Sequence, residues 1–161
     1  MEVQLIPNFI DVEDCNKMIN RIEQLISVGD IIVRDDGRVG IINKDDEIFN
    51  VLVEKYKNKK NEIIKDDFIV YNGYISTKYN TNIGMEDHID SAIGEEMGIL
   101  MYLNDDYEGG EFTYTDDGGI KYNIKAKKGD MIYCPSWFLH GVNKVTSGVR
   151  YFFTISLLKS N

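Results

Sequence analysis

Apolar residues recur at helical spacing in two stretches of the chain, both ahead of residue 66. In the first, Cys15, Met18, Ile19, Ile22, Leu25 and Ile26 form one stripe of helical period. Asp11 stands where an N-cap belongs, and Ile10 is placed to staple onto Cys15. The second stretch runs from about Asp46 to Ile64, with Phe49, Leu52, Val53 and Tyr56 on one face. Between the helices, Ile31 to Val33 and Val39 to Ile42 predict a small hairpin across Asp36-Gly37.

After Asp66 the period changes. Short β-rich runs are predicted at Phe68–Tyr71, Gly98–Leu103, Glu111–Tyr114, Ile120–Ile124, Met131–Cys134 and Arg150–Leu158. Turn signals separate them, among them Asn72-Gly73, Gly109-Gly110, Lys128-Gly129-Asp130 and Ser147-Gly148. Strands this short and this closely spaced predict a mainly β (α+β) fold, a barrel or double-sheet jelly roll with the N-terminal helices packed on one sheet. No repeat or linker divides the chain. The expectation is one domain over residues 1–161, with 1–66 as helical support and 67–161 as the jelly-roll core. The Thr77–Asp87 loop and the Asp105–Gly110 turn are the lid candidates.

Composition narrows the functional classes. A net charge of −9 argues against a nucleic-acid partner, which needs clustered Lys and Arg. The one lysine-rich run, Lys55 to Lys65, reads as the wet face of the second helix. Cys15 and Cys134 lie in unlike contexts and read as free thiols in a reducing compartment. No apolar run has the length of a membrane span, and no signal peptide is recognised, so a cytoplasmic location is expected.

The chain has two histidines. His88 opens His88-Ile89-Asp90, and on an extended segment residues two apart share a face. With the distant His140 they could form a two-histidine, one-carboxylate set, the facial arrangement of non-haem Fe(II) oxygenases. A His-Asp-His zinc site is the alternative metal reading. Taken singly, either histidine also reads as an ordinary loop residue.

Arg150 follows His140 by ten residues. If Asn143 to Gly148 forms a hairpin centred on Val145, His140 and Arg150 face each other across it. From Arg150 the strand alternates. Arg150, Phe152, Thr154 and Ser156 take one face; Tyr151, Phe153, Ile155 and Leu157 take the other, under the helices. A buried arginine needs an anionic partner. That partner is either a cosubstrate carboxylate or a structural carboxylate of the chain itself.

These residues resemble the Fe(II)- and 2-oxoglutarate-dependent dioxygenases, most closely their prolyl 4-hydroxylase-like branch. The resemblance covers about the last ninety residues. It is carried by His88-Ile89-Asp90, by Ile99 to Asn104 followed by Gly109-Gly110-Glu111-Phe112, by Lys128-Gly129-Asp130, and above all by His140-Gly-Val-Asn-Lys-Val-Thr-Ser-Gly-Val-Arg150-Tyr151. Ile6 to Ile10 and the helix after it are similar to the family's N-terminal segment.

The resemblance implies a double-stranded β-helix with iron at one open end. It implies His88, Asp90 and His140 as both the catalytic centre and the metal ligands. The cofactors implied are Fe(II), 2-oxoglutarate and O2, with ascorbate as a candidate auxiliary reductant. Arg150 would pair with the distal carboxylate of 2-oxoglutarate and Tyr102 would donate to it. Tyr79 matches a tyrosine on the strand before His-x-Asp, and Thr154 a small polar residue of the pocket. The activity implied is C–H hydroxylation coupled to decarboxylation of 2-oxoglutarate, on a proline-containing peptide or protein. Asp90 favours hydroxylation, because halogenating members lack the carboxylate. Three positions depart from the family pattern: Asn82 for a glycine, Met85 for a tyrosine and Ser156 for a tryptophan. They point to a reshaped mouth and keep a free amino acid or other small molecule open as substrate. A non-catalytic jelly-roll binding module is the alternative of another class.

Overall fold

The computed structural model describes residues 2–41, 46–65, 68–90 and 96–159. In chain order the elements are β1 (Gln4–Ile6), α1 (Val12–Val28), β2 (Ile31–Val33), β3 (Val39–Ile41), α2 (Glu47–Ile63), β4 (Phe68–Tyr79) and β5 (Met85–His88). There follow β6 (Glu96–Tyr102), β7 (Glu108–Gly109), β8 (Phe112–Thr115), β9 (Lys121–Ile124), β10 (Met131–Pro135), β11 (Leu139–Val142), β12 (Val145–Ser147) and β13 (Arg150–Lys159). A seven-stranded sheet has the order β1-β10-β6-β13-β4-β3-β2, and a four-stranded sheet the order β5-β11-β8-β9. A two-stranded ribbon, β12-β7, completes the strands of the described residues.

The two sheets form the jelly roll, and the alternation along β13 explains how its layers are filled. Phe153, Ile155 and Leu157 are buried with Cys15, Met18 and Ile22 of α1 and Phe49, Leu52 and Tyr56 of α2. Phe49 stacks on Phe153 with ring centroids 5.5 Å apart. Phe152, Thr154 and Ser156 line a cavity on the opposite face of the large sheet. The helices therefore cover one face of the large sheet and leave the other to the small sheet and the site, as the pattern predicts.

Two local expectations change. Residues 1–66 are more than helical support: β1 pairs with β10, and the β2–β3 hairpin pairs with β4, so all three join the large sheet. Ile42, expected to end that hairpin, lies outside the described residues. Asn72-Gly73 does not turn the chain. It lies inside β4, where the register against β13 shifts from Ile155↔Tyr74 to Leu157↔Val70. Four residues on β4 there span two on β13, so the local signal marks an irregularity and not a strand end.

Asp46, expected as the start of the second helix, is its N-cap, accepting from Ile48 N at 3.1 Å and Phe49 N at 3.2 Å. Asp11 occupies the N-cap of α1 without a side-chain cap bond. Its carboxylate instead pairs with Lys55 Nζ at 2.6 Å, which also reaches Asp14 at 2.6 Å. Tyr56 donates to Asp14 at 2.5 Å, tying the two helices together. Burial pushes the Asp14 carboxyl up, but the bonds from Lys55 and Tyr56 outweigh it and hold the group below its ordinary 3.8. Stability from a depressed carboxyl is present above its unfolded-state pKa and is lost as pH falls through the folded value. Asp14→Asn should therefore lower stability at neutral pH by about 1.5–3 kcal/mol, the range for a charge-assisted bond. Thermal melts should show that gap closing as pH falls below the ordinary carboxylate range.

Candidate iron and cosubstrate site

The metal set is assembled by β5 and β11, where His88 and His140 are direct antiparallel partners. Directly opposed residues share a face, and the two rings lie 4.6 Å apart between centroids. The register then slips: His140 pairs with His88, but Val142 pairs with Met85, so β5 carries one extra residue. Gly141 allows this bulge. A Cβ there would meet Asp87 Oδ1 at 2.6 Å and Met85 O at 2.8 Å. The glycine after His140 is thus a strand residue under close backbone approach, not a loop marker.

Asp90 lies just beyond the end of β5, and its N–H donates to Ser136 O at 3.2 Å. Its two oxygens face the two rings: His88 Nε2 to Oδ1 at 3.0 Å and His140 Nε2 to Oδ2 at 3.2 Å. One ligand atom from each of the three residues falls within a 4.8 Å cluster.

The other ring nitrogens decide what this cluster suits. His88 Nδ1 lies 2.9 Å from Glu86 O, and His140 Nδ1 lies 2.8 Å from Phe138 O. A carbonyl oxygen only accepts, so each Nδ1 carries the proton. Each neutral ring then turns a lone pair on Nε2 toward a carboxylate oxygen. Lone pairs facing lone pairs at 3 Å need a positive charge between them. A proton on a ring is one solution, and Asp90 accordingly raises the pKa of His88. A divalent cation satisfies all three donors at once, with both histidines already oriented by backbone carbonyls. Two imidazoles and one carboxylate are the donor set of Fe(II) oxygenases.

Arg150 is placed differently from expectation. The segment after β11 does not fold back as a hairpin. Val145 exchanges backbone bonds with the loop before β5, donating to Ile83 O at 2.9 Å and accepting from Asn82 N at 2.7 Å. β12 pairs with β7, while β13 inserts between β4 and β6. His140 and Arg150 therefore sit on opposite sheets and face each other across the jelly roll, with Arg150 paired to Tyr79. The same bonds pin the expected lid at 77–87, of which only residues 80–84 lie outside strands.

Arg150 is fully buried. Nη2 donates to Tyr102 OH at 3.0 Å, and the guanidinium carbon lies 4.1 Å from the Phe152 ring centroid. Among the described residues, Nε and Nη1 have no hydrogen-bond partner, and neither do the buried hydroxyls of Tyr79 and Tyr107. Among the described residues no carboxylate pairs with Arg150, which leaves the structural salt bridge unsupported. Burial pushes the Tyr107 hydroxyl up to about 12 against the opposing charge of Arg150, so it stays a donor. A buried cation, open N–H groups and two open hydroxyls in one place make a cradle for an anion. Gly110, with φ 66°, is required here: a Cβ would meet Tyr107 Cε2 at 3.0 Å and Arg150 Cδ at 3.1 Å.

A cavity of about 1170 Å³ joins the two parts. It is lined by the three metal-set residues and, on the large sheet, by Tyr79, Leu100, Phe152, Thr154 and Ser156. Arg150, fully buried, packs against the Tyr79 and Phe152 rings of that lining and bonds Tyr102, the strand partner of Phe152. Met85 and Asn82 also line the cavity, and Asn82 adopts φ 72°, a left-handed conformation that asparagine tolerates.

Two residues around Arg150 escaped sequence reasoning. Tyr107 is one of ten tyrosines and carries no local signal. Asn104 clamps the chain on both sides of Arg150, donating to Val149 O at 2.7 Å and accepting from Tyr151 N at 2.8 Å. Its place after Tyr102-Leu103 gives the motif but not this task.

Comparisons with known proteins place the chain in one family. The sequence profile of the 2OG-Fe(II) oxygenase superfamily matches residues 74–156. A PKHD-type hydroxylase of Gluconobacter oxydans is 33% identical over 86 residues, which cover 46% of this chain and 37% of that protein. The chain spans between about a third and a half of the length of the curated relatives it matches. In fold it is similar to a prolyl-4-hydroxylase of Pseudomonas putida, with a TM-score of 0.76 at 12% identity over 99% of this chain and 93% of that one. HygX of Streptomyces hygroscopicus, solved with nickel and 2-oxoglutarate bound, gives 0.76 at 14% identity over 98% and 83%. With over half of its length matched, site included, the chain belongs to the 2OG-Fe(II) oxygenase superfamily.

Proposed function

We propose that this chain hydroxylates a C–H bond, holding Fe(II) through His88, Asp90 and His140 and 2-oxoglutarate through Arg150. The observation that carries the reading is the pair of Nε2 lone pairs converging on Asp90 while both Nδ1 protons are spent on backbone carbonyls. The bound metal and cosubstrate supply the oxidising chemistry once O2 is present. The chain's own residues do the rest. Tyr102, Tyr79 and Tyr107 surround Arg150 with hydroxyls that hold the cosubstrate's carboxylate. Phe152 and Leu100 keep water from the cavity wall, and Thr154 offers a polar contact within it.

The substrate we favour is a prolyl residue in a peptide or protein, by analogy with the PKHD-type relatives and the prolyl-hydroxylase neighbours. A free amino acid or other small molecule is the second reading. It is favoured by the β2–β3 turn, whose Gly37 packs close to Ile83 and whose Arg34, Asp36 and Arg38 line the cavity. Succinate release measured with proline-containing peptides against free proline separates the two. Turnover with peptides alone supports the first reading, turnover with free proline alone supports the second, and none with either, iron and 2-oxoglutarate being bound, sets proline aside.

Among the described residues no helix is long and apolar enough to cross a membrane. Cys15 and Cys134 are buried free thiols whose burial pushes them up to about 11 and about 12, so neither is poised as a nucleophile.

A further inference from the structure

A second arginine shares the inner face with Arg150. On β3 and β4, Val39 pairs with Lys78 and Gly40 with Thr77. One step back along that ladder, Arg38 falls opposite Tyr79, which is itself paired to Arg150. Directly opposed residues share a face. Arg38, one residue before β3, therefore falls in one row with Tyr79 and Arg150, with Tyr79 in the middle.

The two arginines differ in access. Arg150 is fully buried and packs on the Tyr79 and Phe152 rings that line the cavity, whereas Arg38 lines the cavity itself, as His88 does. Its side chain is 19% exposed, so its charge is largely shielded from bulk water but open to the cavity. Burial raises the Tyr79 pKa, and Arg150 and then Arg38 oppose it, which puts both cations within electrostatic reach of that hydroxyl.

Arg38 is also held in place. Asp36 takes its Nε at 2.6 Å and its backbone N–H at 3.1 Å. That pair engages Nε, while a guanidinium has two Nη groups besides, arranged as a fork for a second carboxylate. Arg34 also lines the cavity; its backbone N–H donates to Arg38 O at 2.9 Å, and its charge acts on the same Asp36. Of the other carboxylates lining the cavity, Asp87 is engaged by Lys121 and Asp90 by the two histidines, while Glu86 is exposed to solvent. In a chain of net charge −9, two arginines facing a reaction cavity mark a local need for an anion.

We propose that the substrate carries a carboxylate close to the C–H bond that reacts, and that Arg38, backed by Arg34, seats it on the β2–β3 side of the cavity. The proposal rests on the iron and 2-oxoglutarate reading of the site. The carboxylate could belong to a free amino acid or to an acidic residue beside the target in a peptide, and both present the same group to Arg38.

The test measures equilibrium binding by calorimetry, without turnover, on protein loaded anaerobically with Fe(II) and 2-oxoglutarate. Two matched pairs serve as probes: L-proline with L-prolinamide, and acetyl-prolyl-aspartyl amide with acetyl-prolyl-asparaginyl amide. In at least one pair the carboxylate member should bind about 10-fold tighter, a difference of about 1.4 kcal/mol. The pair that responds tells the free amino acid from the peptide. Arg38→Gln should erase the preference while keeping 2-oxoglutarate affinity within about 3-fold, a change of less than 1 kcal/mol. Arg38→Lys should retain part of the preference, since it keeps the charge and loses the fork. Equal affinity within both pairs, including no binding by any probe, overturns the proposal. So does a preference that survives Arg38→Gln, or a loss confined to 2-oxoglutarate, which would make Arg38 part of the cosubstrate site. Failure of the wild type to bind Fe(II) or 2-oxoglutarate at all would instead sink the underlying reading.

Discussion

His140→Ala and Asp90→Ala should each abolish 2-oxoglutarate turnover, by ~1,000-fold or more, given that loss of a mere supporting contact to a metal ligand already costs ~10–100-fold. The two substitutions act for different reasons. Asp90 is the anion that both Nε2 atoms face, so its removal takes away the charge that balances a dication and leaves two neutral nitrogens. His140 is buried between His88 and Phe112, with ring centroids 4.6 Å and 5.7 Å away, so its removal costs a ligand and opens a cavity. His140→Gln keeps volume and a polar end and separates lost metal binding from lost packing. Binding to the folded state alone raises its stability with ligand concentration. The wild type should therefore gain melting temperature as Fe(II) is added without oxygen, and all three variants should lose that gain. A variant that still gains it to the same degree would remove its residue from the metal set.

Arg150→Met should raise the KM for 2-oxoglutarate by ~100-fold or more, the scale of losing one partner of a buried charge pair at ~2–5 kcal/mol. The ligand-free protein should respond in the opposite sense from one held by a structural ion pair. Breaking such a pair strands a buried carboxylate and costs ~3–5 kcal/mol. Here, among the described residues, no carboxylate would be stranded, and Nε and Nη1 already lack hydrogen-bond partners. Methionine fills much of the space beneath Gly110 and between the Phe152 and Tyr102 rings. Ligand-free melting should therefore change little, while the stabilisation by 2-oxoglutarate disappears and the iron affinity stays. Tyr102→Phe removes one hydroxyl and should move the same KM by ~3–10-fold, in line with one hydrogen bond to a charged group. An equal loss of iron and 2-oxoglutarate affinity in Arg150→Met would assign Arg150 to folding instead.

Much of this architecture was legible because it depends on period. The stripe from Cys15 to Leu25 and the alternation from Arg150 to Leu157 each name a buried face. Both faces meet in the same core, where Phe153 stacks on Phe49. The His88-Ile89-Asp90 spacing was legible for the same reason, since it reads off a strand's two-residue repeat. What periodicity cannot carry is which strand neighbours which. A hairpin centred on Val145 was a reasonable local reading of Asn143 to Gly148. Non-local bonds from Val145 to Asn82 and Ile83 override it and send β13 to the other sheet. The outcome for Arg150 is the same inner face reached by another route: it confronts His140 across the jelly roll, not along a ladder. Asn72-Gly73 failed as a turn for the reverse reason, because strand pairing on one side absorbs two extra residues without ending β4. The three-residue strand Gln4–Ile6 has too little sequence to show a period, and its pairing with β10 depends on an edge 125 or more residues away.

The central claim is that one site holds Fe(II) through His88, Asp90 and His140 and 2-oxoglutarate through Arg150. The most direct test is an anaerobic titration followed by visible absorption. Fe(II) and 2-oxoglutarate together should produce a weak charge-transfer band that neither gives alone, saturating at one iron per chain. The band should be absent from His88→Ala and should need far more 2-oxoglutarate in Arg150→Met. A wild-type spectrum no different from that of His88→Ala or of buffer would contradict the account.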